Sequence, residues 1–287
     1  MKKYFILLSL FAMICVNKIT AQESENILTF KVGDMKITLL SEGQQQNGSS
    51  ILIGATPEII EKYATDGTYP AACNAFLVQT ADKNILIDAG FGRKLFDNLS
   101  LLNITPEQID VVLLTHMHGD HIGGMMRDGK IAFPNAELYI AITEAFYWQT
   151  NSSTGGQQAA KVIEAYNSKL HLFDPTELDG DIDLLGGIRA IAAYGHTPGH
   201  TVFLLKSKGE QLLVWGDLTH AMAIQMPHPE IAVTYDVNPQ EAIATRKKIL
   251  EYVVKNKIPI AGMHIAYPAM GNVKASNNGG YEFNALK

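Results

Sequence analysis

Three histidines and one carboxylate lie within seven consecutive residues, THMHGDH at 115–121, although the whole chain of 287 residues contains only nine histidines. Clustered imidazoles gain nothing on a surface loop and are costly in an apolar core. Imidazole and carboxylate together are, in contrast, the usual ligands of zinc and of similar divalent ions. The stretch therefore predicts a metal site.

The spacing inside the stretch predicts two ions rather than one. His116 and His118 are two positions apart, so an extended backbone points both rings to the same side, where they can bind a single ion. Asp120 and His121 follow at the turn into IGGM, where the chain changes direction. We expect this second pair to bind another ion beside the first.

Three more distant residues are candidates for the remaining ligands. They are His196 in GHTPGHT, Asp217 in WGDLTH and His264 in GMH. Each residue alone also fits a structural role, since an aspartate at a strand end often caps a helix and a single histidine is often a satisfied core residue. All three follow an apolar segment at the start of a loop, as the first cluster does, and this shared position favours metal binding.

The segments that precede these sites predict strands. VVLLT at 111–115 ends at the first histidine cluster, and IPIAGM at 258–263 ends at His264. Ligands in α/β folds are commonly held at the carboxyl ends of strands. Alternating apolar and polar residues predict hairpins at 27–40, 74–90 and 201–217.

Helices and longer connections complete the predicted layout. NPQEAIATRKKILEYVVKNK predicts a helix from Asn238 with proline at its first position, and PEQI at 106–109 predicts a short one. Two passes of strands followed by helices meet near Asp174, with no linker that would separate two domains. The stretches 43–73, which contains a helix-like PEIIEKYA, and 143–171 resemble insertions and are candidate lids.

The first residues predict a secretory signal peptide. Lys2 and Lys3 precede an apolar run over residues 4–16, which is too short to span a bilayer, and a cleavage point follows Ala21. We therefore expect a signal peptide over residues 1–21, a single domain over 22–287 and a periplasmic or secreted protein without stable membrane insertion. A buried helix or a membrane anchor is the less favoured alternative.

The net charge and the cysteine content restrict the classes of substrate and the covalent cross-links that the protein can have. Removal of the three lysines in 1–21 leaves 20 basic against 29 acidic residues, a net charge of −9, and Cys73 as the only cysteine. Such a surface repels nucleic acid, so we expect a neutral or cationic small molecule as substrate. No intramolecular disulfide can form in the processed chain. A homodimer remains open.

The motifs HMHGDH, GHTPGHT, GDLTH and GMH, in this order, resemble those of the metallo-β-lactamase superfamily. The resemblance covers almost the whole of 22–287 and implies an α/β fold, a four-layer αβ/βα sandwich, with two metal ions at one edge. It implies one ion on His116, His118 and His196, and another on Asp120, His121 and His264. Asp217 would bridge the two ions, and His200 would orient its loop without binding metal.

The details of these motifs resemble one branch of the superfamily more than others. Class B β-lactamases typically place another residue at the position of Asp217, and redox members tend to replace His118 by glutamate. NAFLVQT, ILIDAGFG, IAFPNAELYIA and GMHIAYPAMGNV are similar to the methyl parathion hydrolase-like and acyl-homoserine lactone lactonase branch. Many of these lactonases have a tyrosine where this chain has His220.

The resemblance implies a hydrolase with two Zn²⁺, other divalent ions being an alternative, that opens lactones or esters through a metal-bridging hydroxide. Together with the predicted signal peptide and the acidic net charge, it leads us to expect a secreted enzyme for neutral substrates. Acyl-homoserine lactones, and hence quorum quenching, are included. The alternative is an organophosphorus triester hydrolase; a β-lactamase or a catalytically dead zinc-binding protein is less favoured. Asp120 would relay a proton, and His220 would either support the oxyanion or pack structurally.

Aromatic and methionine residues near the predicted site are candidates for a substrate pocket. The alternative is that they belong to the core of an ordinary amphipathic helix. The candidates are Phe146, Trp148 and Met222, with Tyr147 and Met226 beside them.

Overall fold

A computed structural model describes residues 26–277 and 279–286. The predicted signal peptide, residues 1–21, lies outside the described residues. No helix in the described part of the chain is long and apolar enough to cross a membrane.

Strands and helices alternate along the chain in two successive passes. The strands are β1 (Ile27–Val32), β2 (Met35–Gly48), β3 (Leu52–Ile53), β4 (Thr68–Gln79), β5 (Asn84–Ile87), β6 (Val111–Leu113), β7 (Met126–Arg127), β8 (Lys130–Ile131), β9 (Glu137–Ala141), β10 (Leu170–Phe173), β11 (Ile188–Ala192), β12 (Thr201–Ser207), β13 (Glu210–Val214), β14 (Ala232–Val233), β15 (Ile260–Ala261), β16 (Met270–Ala275) and β17 (Tyr281–Ala285). The helices are α1 (Pro57–Tyr63), α2 (Leu95–Leu101), α3 (Gly119–Ile122), α4 (Ile142–Thr150), α5 (Thr154–Ala165), α6 (Met222–Gln225) and α7 (Pro239–Asn256).

Two sheets form the centre of the fold. The first sheet has the order β1-β2-β4-β5-β6-β9-β10, and the second has the order β11-β12-β13-β15-β16-β17. The first sheet ends with β10 at Phe173 and the second begins with β11 at Ile188, so the division predicted near Asp174 is confirmed. The three predicted hairpins are also present, as antiparallel pairs β1-β2, β4-β5 and β12-β13.

Successive residues of the strands serve two different cores. Ile37 and Leu39 of β2 pack between the two sheets, with Phe203 and Val214 of the second sheet, whereas the adjacent Leu40 belongs to the core on the outer face. This alternation follows from the two-residue period of a strand and explains why both faces are apolar. The space between the sheets is therefore filled with side chains.

Helices cover the outer face of each sheet and complete four layers. Leu95 and Leu99 of α2 and Val162 of α5 pack on the first sheet. Ile249 and Val253 of α7 pack on the second. The predicted αβ/βα sandwich is confirmed.

Local signals position the long helix α7. The side chain of Asn238 accepts a hydrogen bond from the backbone of Glu241 at 3.2 Å, and Pro239 occupies the first turn, where its missing N–H costs nothing. The helix ends at Lys257, which has a left-handed backbone. The short helix predicted at 106–109 is instead a single 3₁₀ turn, Pro106–Gln108, because the chain must extend at once to enter β6.

The two candidate lids differ in structure. Residues 143–171 form α4 and α5, whose apolar faces are buried on the first sheet, so the prediction of a lid is wrong there. In the other stretch, Gln44–Gly48 of β2 pairs with Thr68–Ala72 of β4 beyond the end of β5, after a register shift between Ser41 and Gln44. We call this two-stranded extension the arm; the predicted helix α1 lies in the connection between its two strands.

Candidate metal centre

The segment that follows β6 brings two histidines towards a third from the other sheet. His116 and His118 lie between the end of β6 and the start of α3, and His196 lies in the loop before β12. The Nδ1 atom of His118 is 2.9 Å from Nε2 of His116 and 2.9 Å from Nε2 of His196. We call these three residues the histidine group.

A second group lies next to the first. It consists of Asp120 and His121 in α3 and of His264, which follows β15. The Oδ2 atom of Asp120 is 3.4 Å from Nε2 of His264 and 3.8 Å from Nε2 of His121. We call these three residues the mixed group.

Asp217 lies between the two groups. It follows β13 and is almost completely buried, with 2% of its surface exposed. Its Oδ2 atom is 3.2 Å from Nε2 of His196, and its Oδ1 atom is 3.0 Å from Nε2 of His121. The structure therefore brings all seven residues that the sequence singled out as metal ligands into one cluster.

Four of the five histidines in this cluster use one ring nitrogen to contact a hydrogen-bond acceptor outside it. A neutral imidazole carries a single N–H, so the nitrogen that faces the cluster presents a lone pair. The outward pairs are His116 with Thr115 Oγ1 at 3.0 Å, His121 with Asp88 Oδ2 at 2.6 Å, His196 with Asp236 Oδ1 at 2.8 Å, and His264 with the Ala72 carbonyl at 2.9 Å.

The inward atoms are acceptors that face other acceptors. Nε2 of His121 and Oδ1 of Asp217 are 3.0 Å apart, and both are buried without a hydrogen-bond partner in the described part of the chain. Oδ2 of Asp217 lies 3.1 Å from the inward nitrogen of His264. Such an arrangement is stable only with positive charge between the atoms, and the donor set fits divalent metal ions.

Two carboxylates that hold these histidines were missed by the sequence reasoning. Asp88 also accepts hydrogen bonds from the backbone N–H and the hydroxyl of Thr115, at 2.8 and 2.7 Å. It ends the apolar segment of β5, which is the signal that was available in the sequence. Asp236 lies in an irregular segment after β14 and carries no comparable signal.

His200 contacts the cluster from behind. Its Nδ1 atom donates to the Ala193 carbonyl at 2.9 Å, and its Nε2 atom accepts from the backbone N–H of Asp217 at 3.0 Å. Burial lowers the pKa of His200 to about 3, so the ring is neutral. These contacts position the segment of Asp217 and use both ring nitrogens, in agreement with the role that we expected.

His220 lies against the central carboxylate. Its Nε2 atom is 3.0 Å from Oδ2 of Asp217, and its ring stacks on that of His264 with centroids 4.9 Å apart. Burial lowers the pKa of His220 to about 4, so its ring is neutral near pH 7. His220 is three residues after Asp217, and this spacing places the two side chains next to each other.

A cavity of about 460 Å³ opens above the cluster. Its floor includes His118, Asp120, Asp217, His220 and His264. The arm and the short segment after it form one wall, and two half-exposed aromatic rings stand at the rim. The wall residues are Gln45, Asn47, Gly48, Ser50 and Ile51, and the aromatic residues are Phe91 and Tyr235.

The residues that we expected to line a pocket do not line this cavity. Phe146 is 69% exposed on α4, whereas Trp148 is buried beneath His118, with ring centroids 5.3 Å apart. Met222 packs at the edge of the second sheet's outer core. The prediction is wrong because α4 contacts the metal cluster from below, while the arm occupies the side from which a substrate enters.

The neighbouring candidates Tyr147 and Met226 are not in the lining either. Tyr147 packs on the core between the first sheet and its helices, and Met226 is buried in the corresponding core of the second sheet. Both therefore have the role of ordinary core residues that we considered as the alternative.

Cys73 lines the cavity without the properties of a nucleophile. Burial raises the pKa of its thiol to about 12, and its Sγ atom is 3.6 Å from the backbone carbonyl of Asp120. A thiol rather than a thiolate is present at neutral pH. The chemistry of the site therefore belongs to the histidine and carboxylate cluster.

Comparison with known protein families agrees with this geometry. The sequence profile of the metallo-beta-lactamase superfamily matches residues 68–257, which include six of the seven residues of the cluster; His264 lies just beyond the matched range. The chain belongs to this superfamily. It is a metallo-hydrolase, and the family that its motifs resemble is confirmed.

Two solved structures are similar over almost their whole length. The hydrolase AbOPH of the β-lactamase superfamily is 29% identical, with a TM-score of 0.82 over 93% of this chain and 99% of that chain. AidC, a dizinc quorum-quenching lactonase in complex with the product N-hexanoyl-L-homoserine, is 25% identical, with a TM-score of 0.82 over 91% of this chain and 98% of that chain.

A curated relative matches over a shorter range. The uncharacterized protein YobT of Bacillus subtilis (strain 168) is 29% identical over 144 residues, which are 50% of this chain and 60% of YobT. The chain thus spans about three fifths of the length of this relative.

We predict that metal binding at pH 7 releases protons. Burial lowers the pKa of His196, but hydrogen bonds with Asp217 and Asp236 outweigh it and raise the pKa to about 9. Nearby carboxylates also raise the pKa of His121 and His264 above the ordinary value. The metal-free protein therefore holds protons that an ion must displace, since a metal binds the deprotonated nitrogen.

Calorimetric titration of metal-free protein in buffers with different ionisation enthalpies measures this release. We expect about two to three protons per protein at pH 7, from His121, His196 and His264, and an affinity that increases between pH 6 and pH 9 as these histidines lose their protons. Equal heats in all buffers would contradict the arrangement described here.

Proposed function

We propose that this protein is a dinuclear zinc hydrolase that opens neutral lactones, with N-acyl-homoserine lactones as the leading substrate class. The observation that carries the proposal is the position of Asp217 between the histidine group and the mixed group, on the floor of an open cavity. A quorum-quenching role would follow from this activity.

The donor set supports zinc. Five imidazole nitrogens and two carboxylates converge, and this mixture suits Zn²⁺ better than Mg²⁺ or Ca²⁺, which prefer oxygen ligands. The histidine group would hold one ion, the mixed group would hold the other, and Asp217 would contact both. Two ions in such a site lower the pKa of a water molecule to near neutral and polarise the substrate oxygen.

Asp120 is positioned to transfer a proton during hydrolysis. Its side chain is 24% exposed, whereas Asp217 is 2% exposed, so Asp120 is the more accessible of the two carboxylates on the cavity floor. Although burial raises its pKa, His121 and His264 outweigh the effect and lower it, which keeps Asp120 ionised. We propose that it accepts the proton of the attacking water and passes it to the leaving alkoxide.

His220 has a positioning role in this proposal. Of the two roles considered from the sequence, the 3.0 Å contact with Asp217 favours the structural one, because the nitrogen that would stabilise an oxyanion is turned to the carboxylate. The ring also closes one side of the cavity floor. Its function is then to keep Asp217 between the two groups.

The walls of the cavity favour a neutral substrate. Among the residues that the structure describes, the lining contains no lysine or arginine, and Asp120 and Asp217 of the cluster are its only carboxylates. A substrate with its own negative charge finds no cationic side chain in the walls, and the acidic net charge of the chain opposes polyanions such as nucleic acid. The product described for AidC, N-hexanoyl-L-homoserine, is the ring-opened form of a neutral lactone of the expected class.

The polar wall and the aromatic rim suit the two ends of an acylated lactone. Gln45, Asn47 and Ser50 offer donors and acceptors that an amide in the substrate can use, and Phe91 and Tyr235 offer apolar area for an acyl chain. The same two rings also suit an aryl leaving group. An organophosphorus triester is therefore the second candidate substrate.

We also propose that the protein is exported and processed after Ala21, with the charged and apolar segments of residues 2–16 as the support. N-terminal sequencing of the protein recovered from the periplasm or the medium of the native host should begin at Gln22. An intact N-terminus on protein that stays in the cytoplasm would refute the export.

The central test is turnover by purified mature protein with zinc. We expect acid release from acyl-homoserine lactones in a pH-stat assay and slower hydrolysis of a methyl aryl phosphotriester. The reverse order would make the triester hydrolase the better assignment, and turnover of neither would refute both.

A paired variant ties the activity to the cluster. Asp217→Ala should reduce the bound zinc below two ions per chain and the rate by at least about a hundredfold, because both groups lose a shared ligand. Glu164→Ala, an exposed carboxylate of α5, is the control and should change neither. Full zinc content and full rate in Asp217→Ala would end the dinuclear proposal.

The double variant Gln45→Leu and Asn47→Leu tests the polar wall. One lost hydrogen bond is worth about 0.5–1.5 kcal/mol, so kcat/KM for an acyl-homoserine lactone should fall about threefold to tenfold. The value for an alkyl γ-lactone of similar length, which has no amide, should stay the same or rise. An equal decrease in kcat/KM for both lactones would show that the polar wall does not recognise the amide.

A further inference from the structure

A buried carboxylate outside the cluster contacts both segments that carry the histidine group. Glu144 is the third residue of α4 and is 1% exposed. Its Oε1 atom accepts from the backbone N–H of Met117 at 2.9 Å, between His116 and His118. Its Oε2 atom accepts from the hydroxyl of Thr197 at 2.6 Å, next to His196.

Two further donors complete the surroundings of Glu144. The indole N–H of Trp148 donates to Oε1 at 2.6 Å, and the backbone N–H of Gly199 donates to Oε2 at 3.0 Å. Each oxygen thus accepts two hydrogen bonds. An ionised carboxylate is the side chain that only accepts, so its chemistry matches four donors in a way that an amide of the same shape cannot.

The contacts of Glu144 join parts of the chain that are distant in the fold. Met117 follows β6 of the first sheet, whereas Thr197 and Gly199 precede β12 of the second sheet. A side chain at position 199 would collide with Glu144, since a Cβ there would lie 2.6 Å or less from its backbone nitrogen, Cα and Cβ. The glycine therefore allows α4 to approach the loop of His196 closely.

Trp148 extends the same contact to the ring of His118. The indole that donates to Glu144 meets this imidazole edge to face, with centroids 5.3 Å apart. The carboxylate therefore restrains His118 in two ways, through the backbone of Met117 and through the indole.

We propose that Glu144 is a positioning residue for the histidine group, because one carboxylate fixes the relative positions of the two segments that supply its three ligands. It touches neither the cavity nor the cluster, and the mixed group makes no contact with it. The inference rests on the proposed metal centre. The inference gives α4 a role in metal affinity through the buried Glu144, whereas the exposed Phe146 of the same helix has no such role.

Glu144→Gln is the direct test, because it keeps the shape but turns an amide NH₂ towards two donors. We expect the zinc affinity of the histidine group to fall about tenfold to a hundredfold, as for other groups that support a ligand, with a smaller change for the mixed group. Competition with a chromophoric chelator measures both binding steps. His196→Ala and His264→Ala identify which step belongs to which group.

Asp110→Asn is the matched control. Asp110 is another carboxylate that accepts a backbone N–H, from Asn84 at 2.7 Å, at the start of β6 instead of beyond its end. This variant should lower the thermal midpoint of the metal-free protein without changing zinc affinity. An affinity loss in Glu144→Gln no larger than in Asp110→Asn would show that Glu144 only stabilises the fold.

Two milder variants keep the proposal testable should Glu144→Gln not fold. Thr197→Val and Trp148→Phe each remove one donor and leave the carboxylate in place. Each should weaken the histidine group about threefold to tenfold, and unchanged affinity in both would overturn the inference. Wild-type protein that binds no zinc would refute the proposed function as well, whereas two bound ions with an unaffected Glu144→Gln would refute this inference alone.

Discussion

The site depends on the electrostatics of one buried aspartate. Asp217 is almost completely buried, and five imidazole nitrogens lie within 3.6 Å of its carboxylate. Burial would raise its pKa, but the surrounding histidines outweigh burial and hold the pKa well below the usual range. A buried carboxylate without such partners costs several kcal/mol, so the cluster is stable only while it holds metal ions or protons.

This requirement explains the arrangement of acceptors around the cluster. Asp88, Asp236 and the Ala72 carbonyl each fix one N–H on the outer side of a ligand ring, which leaves the inward nitrogen free. Arg246 supports Asp236 from α7, with its guanidinium 3.9 Å from the carboxylate and hydrogen-bonded to three backbone carbonyls. The positions of the metal ligands thus depend on residues of the helices that cover both sheets.

The sequence was sufficient to predict the metal ligands and the layers of the fold. It was not sufficient to predict the residues that support the ligands or those that line the cavity. The H-x-H spacing and the strand ends are local signals, and so the seven cluster residues were predicted from them. Glu144 acts through contacts with residues 27 to 55 positions away along the chain, and Asp236 through a contact 40 positions away. No local pattern in the sequence reveals such contacts. The pocket was misplaced because the direction of the arm depends on a register shift inside β2.

The strand β4 makes two sets of contacts with the loop of His264, and these contacts limit which substitutions the cavity wall can accept. Its Ala72 carbonyl orients His264, and the amide of Asn74 holds the loop of His264 through the carbonyls of Gly262 and Ile265, at 3.1 and 2.9 Å. On the opposite strand of the arm, Gln44 also holds the segment after His264, because its Oε1 atom accepts a hydrogen bond from the backbone N–H of Tyr267 at 2.7 Å, whereas residues 45–48 make no such contact within the described part of the chain. Substitutions that admit new substrates are therefore less constrained at residues 45–48 than on β4, so this part of the wall can evolve while β4 and Gln44 preserve the metal centre.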